Sequence, residues 1–237
     1  MAHYNIVLVI ISYIVAVMGS LMALIITRFA HESPEHSGGL IFLGSLCLGG
    51  VGIWSMHFIG MIAFSMPNMA TSYDFGLTVL SMLIGMGVVY IGLKIMVASF
   101  TFVRLILSGI LVGLGVAAMH YTGMLAMQMQ ADIHWDWAII MASVVIAIIA
   151  AIVALWLLVH VKVLWQVIIS ALVMGVAVCG MHYTGMMAAD FVYNPNLPIA
   201  QPTEISHFMI IISAVDLIIL VVSLMVTMSL NRLKPLA

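Results

Sequence analysis

The stretch LILSGILVGLGVAAMHYTGMLAM, from Leu105 to Met127, contains no Asp, Glu, Lys or Arg. Its length matches a transmembrane helix, which needs about 20 consecutive apolar residues. His120 lies inside it, and a titratable side chain in the hydrocarbon of a membrane is costly unless it has a role. The stretch therefore predicts a membrane-spanning helix that carries a functional site.

The hexapeptide around this histidine occurs three times, as MHFIGM at Met56–Met61 and as MHYTGM at Met119–Met124 and Met181–Met186. The three histidines are His57, His120 and His182, which stand 63 and 62 residues apart. Each spacing has room for two membrane spans. The pattern therefore predicts three parallel repeats, in which the histidines lie at one depth of the membrane.

The composition agrees with an integral membrane protein. Of 237 residues, 65% are hydrophobic and only 6% are charged, against roughly 25% charged in a soluble domain, and the mean hydropathy is +1.31. We expect an all-α fold in which residues 1–237 form a single membrane domain. The seven predicted spans are 5–27, 40–64, 75–98, 105–127, 137–160, 164–189 and 207–230, with the motifs on spans 2, 4 and 6.

The basic residues predict the orientation of these spans. All six fall on one side of an alternating seven-span layout, and lysine and arginine favour the cytoplasmic side. The other connectors are acidic, so we expect the N-terminus outside, the C-terminus inside and the histidine layer near the outer face. The basic residues are Arg28, Lys94, Arg104, Lys162, Arg232 and Lys234, and the acidic ones on the other side are Asp74, Asp132, Asp136, Asp190 and Glu204.

Aligning the three copies on the histidine shows which other positions repeat. Methionine directly precedes the histidine and follows it four residues later, whereas glycine lies seven residues before and three after it. The repeated residues are Met56, Met119 and Met181; Met61, Met124 and Met186; Gly50, Gly113 and Gly175; and Gly60, Gly123 and Gly185.

One helix face carries most of these positions. At about 100° per residue, positions −7, +3 and +4 lie within about 60° of the histidine direction. Small residues allow helix backbones to approach closely in membranes. We therefore expect the glycines to bring the motif helices together, with the histidines pointing into a shared centre.

An imidazole and a thioether on one face form a selective pair of metal ligands. Imidazole binds copper, zinc, iron and nickel, whereas a thioether favours Cu(I). We therefore predict copper, with zinc as the alternative, bound by the three histidines and by the methionine at +4. The methionines before the histidines are additional candidate ligands, and the number of ions stays open. An open coordination position would admit O2, CO or NO.

Four further residues are candidates for a supporting role. Tyr121 and Tyr183 are replaced by Phe58 in the first copy, so we expect them to form interhelical hydrogen bonds rather than to bind the metal. Asp216 is a carboxylate within span 7, which we expect to orient a histidine or to pair with Tyr or Ser. Cys179, one turn before the third histidine, is a spare soft ligand.

Other interpretations of the motif stay open. A single copy could be a packing detail whose histidine is hydrogen-bonded across helices, although three copies at equal depth favour ligands. A copper carrier lined by Met and His is an alternative function. A copper or haem oxidoreductase is another, but no group of acid, base and nucleophile is evident, so we expect a non-enzymatic sensor.

The repeated motifs resemble those of the MHYT family of bacterial membrane sensor domains, and the resemblance covers nearly the whole chain. It implies an inner-membrane module that binds copper through Met and His, senses O2, CO or NO, and acts on a cytoplasmic output domain. This chain stops a few residues after Arg232, which predicts that the output lies in a fused or separate protein. The expected partners are the lipid bilayer, a gas and that output, without nucleic acid, and the oligomeric state stays open.

Overall fold

The computed structural model describes residues 3–67, 69–161, 163–198 and 203–233. Within them, seven helices are long and apolar enough to span a membrane, so the predicted all-α, seven-span membrane fold is confirmed. The helices are α1 Ile6–Glu32, α2 Ser37–Ala63, α3 Phe75–Ala98, α4 Phe102–Leu125, α5 Trp137–His160, α6 Leu164–Met187 and α7 Thr203–Leu233.

Short antiparallel strand pairs join the helices at one end of the bundle, which we call the outer end. Each pair connects the segment before an odd-numbered helix to the segment after the next helix. The pairs are β1 His3–Tyr4 with β2 Phe64–Ser65, β3 Ser72–Tyr73 with β4 Met127–Gln128, and β5 Ala131–Trp135 with β6 Ala189–Tyr193.

The same capping arrangement begins α1, α3 and α5. An Asn or Asp side chain accepts hydrogen bonds from the first backbone amides of its helix, which satisfies donors that have no partner within the helix. The backbone N–H of the same residue donates to the carbonyl of an alanine at the end of the next helix, at 2.8 Å in each case. The pairs are Asn5 with Ala63, Asp74 with Ala126 and Asp136 with Ala188.

A serine about two turns into each of α1, α3 and α5 binds a motif helix next to it in the ring. Ser12 of α1 accepts from the Tyr183 hydroxyl of α6 at 3.0 Å, and Ser143 of α5 accepts from the Tyr121 hydroxyl of α4 at 2.6 Å. In the first repeat Ser81 of α3 accepts instead from the indole N–H of Trp54 of α2, at 3.0 Å. α1, α3 and α5 thus each tie two motif helices together, and α1 closes the ring against α6.

α2 and α7 are the two helices that differ most in burial. In the most apolar 18-residue segment of each helix, 78% of the residues of α2 are buried but only 17% of those of α7. α7 packs outside the ring against α1 and α2. Residues Leu46–Ser55 of α2 form a π-helix, whereas the other two motif helices are α-helical throughout.

Helix ends differ from the predicted spans by a few residues. α1 continues past the predicted end at Thr27, and an ion pair at 3.6 Å between Arg28 and Glu32 supports this extra turn. Four basic residues, Arg28, Lys94, Arg104 and Arg232, lie towards the end opposite the strands. Lys162 and Lys234 lie outside the described residues, and the assignment of that end to the cytoplasm stays a prediction.

Candidate functional site

The ring of motif helices brings the three histidines together at its centre. The ring centroids of His57 and His120 are 4.8 Å apart, those of His57 and His182 are 5.0 Å apart, and those of His120 and His182 are 5.2 Å apart. Each side chain is only 1% exposed. The sequence placed them at one depth around one centre, and the structure confirms this arrangement.

The Nδ1 atoms of the three rings converge. His57 Nδ1 lies 3.0 Å from Nδ1 of both His182 and His120. A neutral imidazole has one N–H and one lone pair, so one shared proton pairs only two of these atoms. A cation can accept all three lone pairs, and a tetrahedral ion with metal–nitrogen bonds of about 2.0–2.1 Å separates its nitrogens by about 3.3 Å. The donor set therefore fits a metal ion.

The other ring nitrogens face glycines of the neighbouring motif helix. An added Cβ would overlap Nε2 of the facing histidine at all three positions, so only glycine fits. Within the described residues these three Nε2 atoms have no hydrogen-bond partner. The glycines thus hold each ring with Nδ1 directed to the centre. The pairs are Gly123 with His57, Gly185 with His120 and Gly60 with His182.

The methionines of the motifs are all buried, but they face different surroundings. Those at +4, Met61, Met124 and Met186, are 0–2% exposed, and their role as ligands stays a prediction. Met119, before the second histidine, lies next to Gly85 of α3. Met181, before the third, lines a cavity inward of the histidines. Both of these contacts lie outside the histidine cluster.

The aromatic residue after each histidine packs edge-on against it. Centroid distances are 4.9 Å for Phe58, 4.9 Å for Tyr121 and 4.7 Å for Tyr183. The ring position is thus the same in all three repeats. The two tyrosine hydroxyls bind the serines of α5 and α1 described above, in agreement with the predicted interhelical hydrogen bonds.

Asp216 and Cys179 lie outside the histidine cluster. The hydroxyl of Ser55, two residues before the first histidine, donates to Asp216 Oδ1 at 2.7 Å. Of the predicted partners of this carboxylate, a histidine, a tyrosine or a serine, the structure thus has the serine. Cys179 contacts Ser12 of α1. Among the described residues, the only group of His, Cys, Asp and Glu spaced to hold a metal is the three histidines.

The sequence predicts that the glycines seven residues before the histidines bring the motif helices together, but the structure places them elsewhere. A Cβ at Gly113 would overlap the backbone of Ile148 in α5, and one at Gly175 would press on Val17 of α1. Gly50 likewise lies opposite Met86 of α3. These glycines pack motif helices against odd helices, and only those at +3 bring motif helices together.

The outer end of the bundle covers the histidine layer. The rings of Phe64 and Phe191 pack 5.1 Å apart, and Tyr4 packs against Phe64 at 5.5 Å. Burial, assisted by Tyr183, raises the pKa of Tyr4 to about 12, so this phenol stays neutral at physiological pH. The strand pairs and these rings separate the site from outer water.

Sequence reasoning missed the caps and serines that close the ring. Asn or Asp is followed seven residues later by Ser at the start of α1, α3 and α5, as Asn5 with Ser12, Asp74 with Ser81 and Asp136 with Ser143. The second and third of these pairs are 62 residues apart, like the second and third histidines. A search for further repeats at the histidine spacing would have found them.

Comparisons with known proteins agree with the threefold repeat. The model of a family described as "Bacterial signalling protein N terminal repeat", or MHYT, matches residues 50–109, 113–171 and 175–235. No solved structure matches the chain.

Curated relatives extend this comparison. The chain is 41% identical over 196 residues to the bifunctional diguanylate cyclase/cyclic di-GMP phosphodiesterase MucR of Pseudomonas aeruginosa, covering 80% of this chain and 28% of MucR. It is 33% identical to the cyclic di-GMP phosphodiesterase NbdA of the same organism, with 84% and 25% covered. It is 32% identical to the signaling protein YkoW of Bacillus subtilis, with 79% and 24% covered. The chain thus spans about a quarter of these proteins.

Proposed function

Because the chain belongs to the MHYT family of bacterial signalling repeats, we propose that it is a membrane sensor whose central histidines bind a copper ion. Its seven apolar helices make it a multi-pass protein of the bacterial inner membrane. The convergence of three buried Nδ1 atoms carries the metal proposal. Buried polar groups normally have partners, and a cation supplies one partner to all three atoms.

The surrounding donors favour copper over zinc. Within the described residues no carboxylate or thiolate joins the histidine cluster, although zinc sites commonly include such ligands. The soft donors nearest in sequence are thioethers, which suit Cu(I). Met61, Met124 and Met186 supply them one turn beyond each histidine, and all three are buried.

The sensing step belongs to the same centre. A bound ion with an open coordination position would supply direct binding of a diatomic gas or a change of oxidation state. The histidines would hold the ion, and the facing glycines fix the orientation of their rings. A movement of a histidine ring would then shift the neighbouring motif helix, because ring and helix pack so closely that an added Cβ does not fit between them.

The signal would leave through α7, the last helix before any output domain. α7 contacts the π-helical part of α2 through two side-chain pairs, Ser55 with Asp216 and Cys47 with Ser223, the latter at 3.0 Å. Two of the relatives are named for the synthesis or breakdown of cyclic di-GMP. We therefore expect the output to act on that nucleotide, in the same polypeptide or in a partner.

The metal content of purified protein tests this proposal. We expect about one copper ion per chain after copper loading, and its loss when His57, His120 and His182 are replaced by alanine. His160→Ala is the control, because His160 lies at the far end of α5 from the histidine centre, where its Nδ1–H donates to the Trp156 carbonyl. Unchanged copper in the triple variant would contradict the proposal.

A further inference from the structure

A cavity lies directly inward of the three histidines. The residues four positions before each histidine line it, namely Ile53, Val116 and Val178. About one helical turn separates them from the histidines. Helical side chains lean towards the N-terminus of their helix, which for the motif helices is the inward direction. The imidazoles therefore lean towards this cavity, whose lining begins with the residues one turn inward of them.

The cavity is small and apolar. Every lining residue is Ala, Val, Leu, Ile or Met. The volume of the cavity that the centre of a water-sized sphere can occupy is ≈ 40 Å³. A buried water needs about 10–15 Å³ on this measure together with 2–4 polar partners. The space is sufficient, but the lining offers no polar side chain. An apolar molecule of a few atoms fits better than water.

Part of the cavity wall is formed by alanines of α5 and α6. Ala150 and Ala154 of α5 and Ala177 of α6 line the cavity and are half-buried. Their small side chains leave a short path to the lipid-facing surface. Apolar gases dissolve better in hydrocarbon than in water, so they reach the cavity from the membrane, whereas the strand pairs cover the outer end.

We propose that this cavity binds one small apolar gas molecule, of the class of O2, CO and NO, next to the histidine centre. The identity of the gas rests on the proposed function, but binding to the cavity requires no metal. The cavity also assigns a role to Met181, whose side chain forms part of its wall. The methionine before the third histidine thus lines a gas site instead of binding the ion.

Xenon is a suitable probe, because it is apolar, binds in dry cavities and scatters X-rays anomalously. Crystals of the metal-free and copper-loaded protein would be pressurised with xenon. We expect one xenon peak, in both forms, between Val116 and Val178. Ala151→Leu fills the cavity and should remove the peak, whereas Ala142→Leu, on the exposed face of the same helix, should keep it.

Leu155→Ala provides a second variant if the filled cavity prevents folding. Leu155 lines the cavity and is 2% exposed, so its truncation enlarges the space and should increase xenon occupancy. A xenon peak without any bound copper would support the cavity and contradict the metal proposal. Bound copper without xenon in the cavity, or an acyl chain occupying it, would overturn the gas site.

Discussion

At the scale of single residues, the histidine centre depends on glycine as much as on histidine. The motif predicted which side chains meet, because their spacing and depth follow from helical geometry. The sequence could not predict that Nδ1 faces the centre, because this depends on which glycine lies behind each ring. It also assigned the glycines at −7 to the centre, whereas odd helices occupy that direction.

The glycine at +3 provides the first prediction. Gly123→Ala places a methyl group against His57, so the ring must move. We expect a loss of about 1–3 kcal/mol in stability, as for other overpacked cores, together with reduced copper content. Thermal unfolding and metal analysis of purified protein measure both effects.

Gly180→Ala is the control for this substitution. Gly180 also lies in a motif helix, two residues before His182, but no atom lies near an added Cβ there. This change should stabilise the protein by roughly 0.5–1 kcal/mol, because alanine favours helices over glycine. Equal effects of the two substitutions would refute the proposed packing of glycine against histidine.

The tyrosines after the histidines provide a second prediction. Tyr183→Phe removes the hydrogen bond to Ser12, which should lower stability by about 0.5–1.5 kcal/mol. Copper content should stay unchanged, because Phe58 occupies this position in the first repeat. Loss of copper in this variant would show that the hydroxyl supports the metal directly.

At the scale of helices, α2 and α7 depart most from the repeat, because α2 contains a π-helix and α7 packs outside the ring. Sequence reasoning identified both as spans from their apolar length, which is the property that hydropathy measures. It did not predict the π-helix of α2, because Cys47 to Ser55 are buried on every side and so show no hydrophobic period that could distinguish the two helix types. The buried Ser55 and Asp216 contact lies where this π-helix ends.

Ser55→Ala tests whether this contact holds α7 in place. Removing the donor leaves the Asp216 carboxylate without its hydroxyl partner, which should cost about 1–3 kcal/mol locally. We expect faster hydrogen exchange in α7 and unchanged exchange in α4 and α5. Ser143→Ala is the matched control, since it removes a hydroxyl at the α4 and α5 contact instead. Unchanged exchange of α7 in Ser55→Ala would exclude this role.

At the scale of the whole molecule, three repeats form a ring that α1 closes and α7 flanks. The spacing of the histidines predicted the threefold repeat and its parallel direction. It did not predict that α1, rather than α7, completes the ring, because both are apolar helices of adequate length. The difference lies in the cap and serine of α1, which match those of α3 and α5.

The orientation of the molecule in the membrane is a separate prediction. The basic residues at the end opposite the strands favour the cytoplasmic side. His134→Cys, exposed in β5, should therefore react with a membrane-impermeant maleimide on intact cells, whereas Phe100→Cys, between α3 and α4, should react only after permeabilisation. The reverse pattern would contradict this orientation.

Anomalous diffraction at the copper and zinc edges tests the histidine centre most directly. We expect one copper peak in contact with Nδ1 of His57, His120 and His182 in crystals of copper-loaded protein. A peak at other residues, or no peak between the three rings, would contradict the proposed metal site.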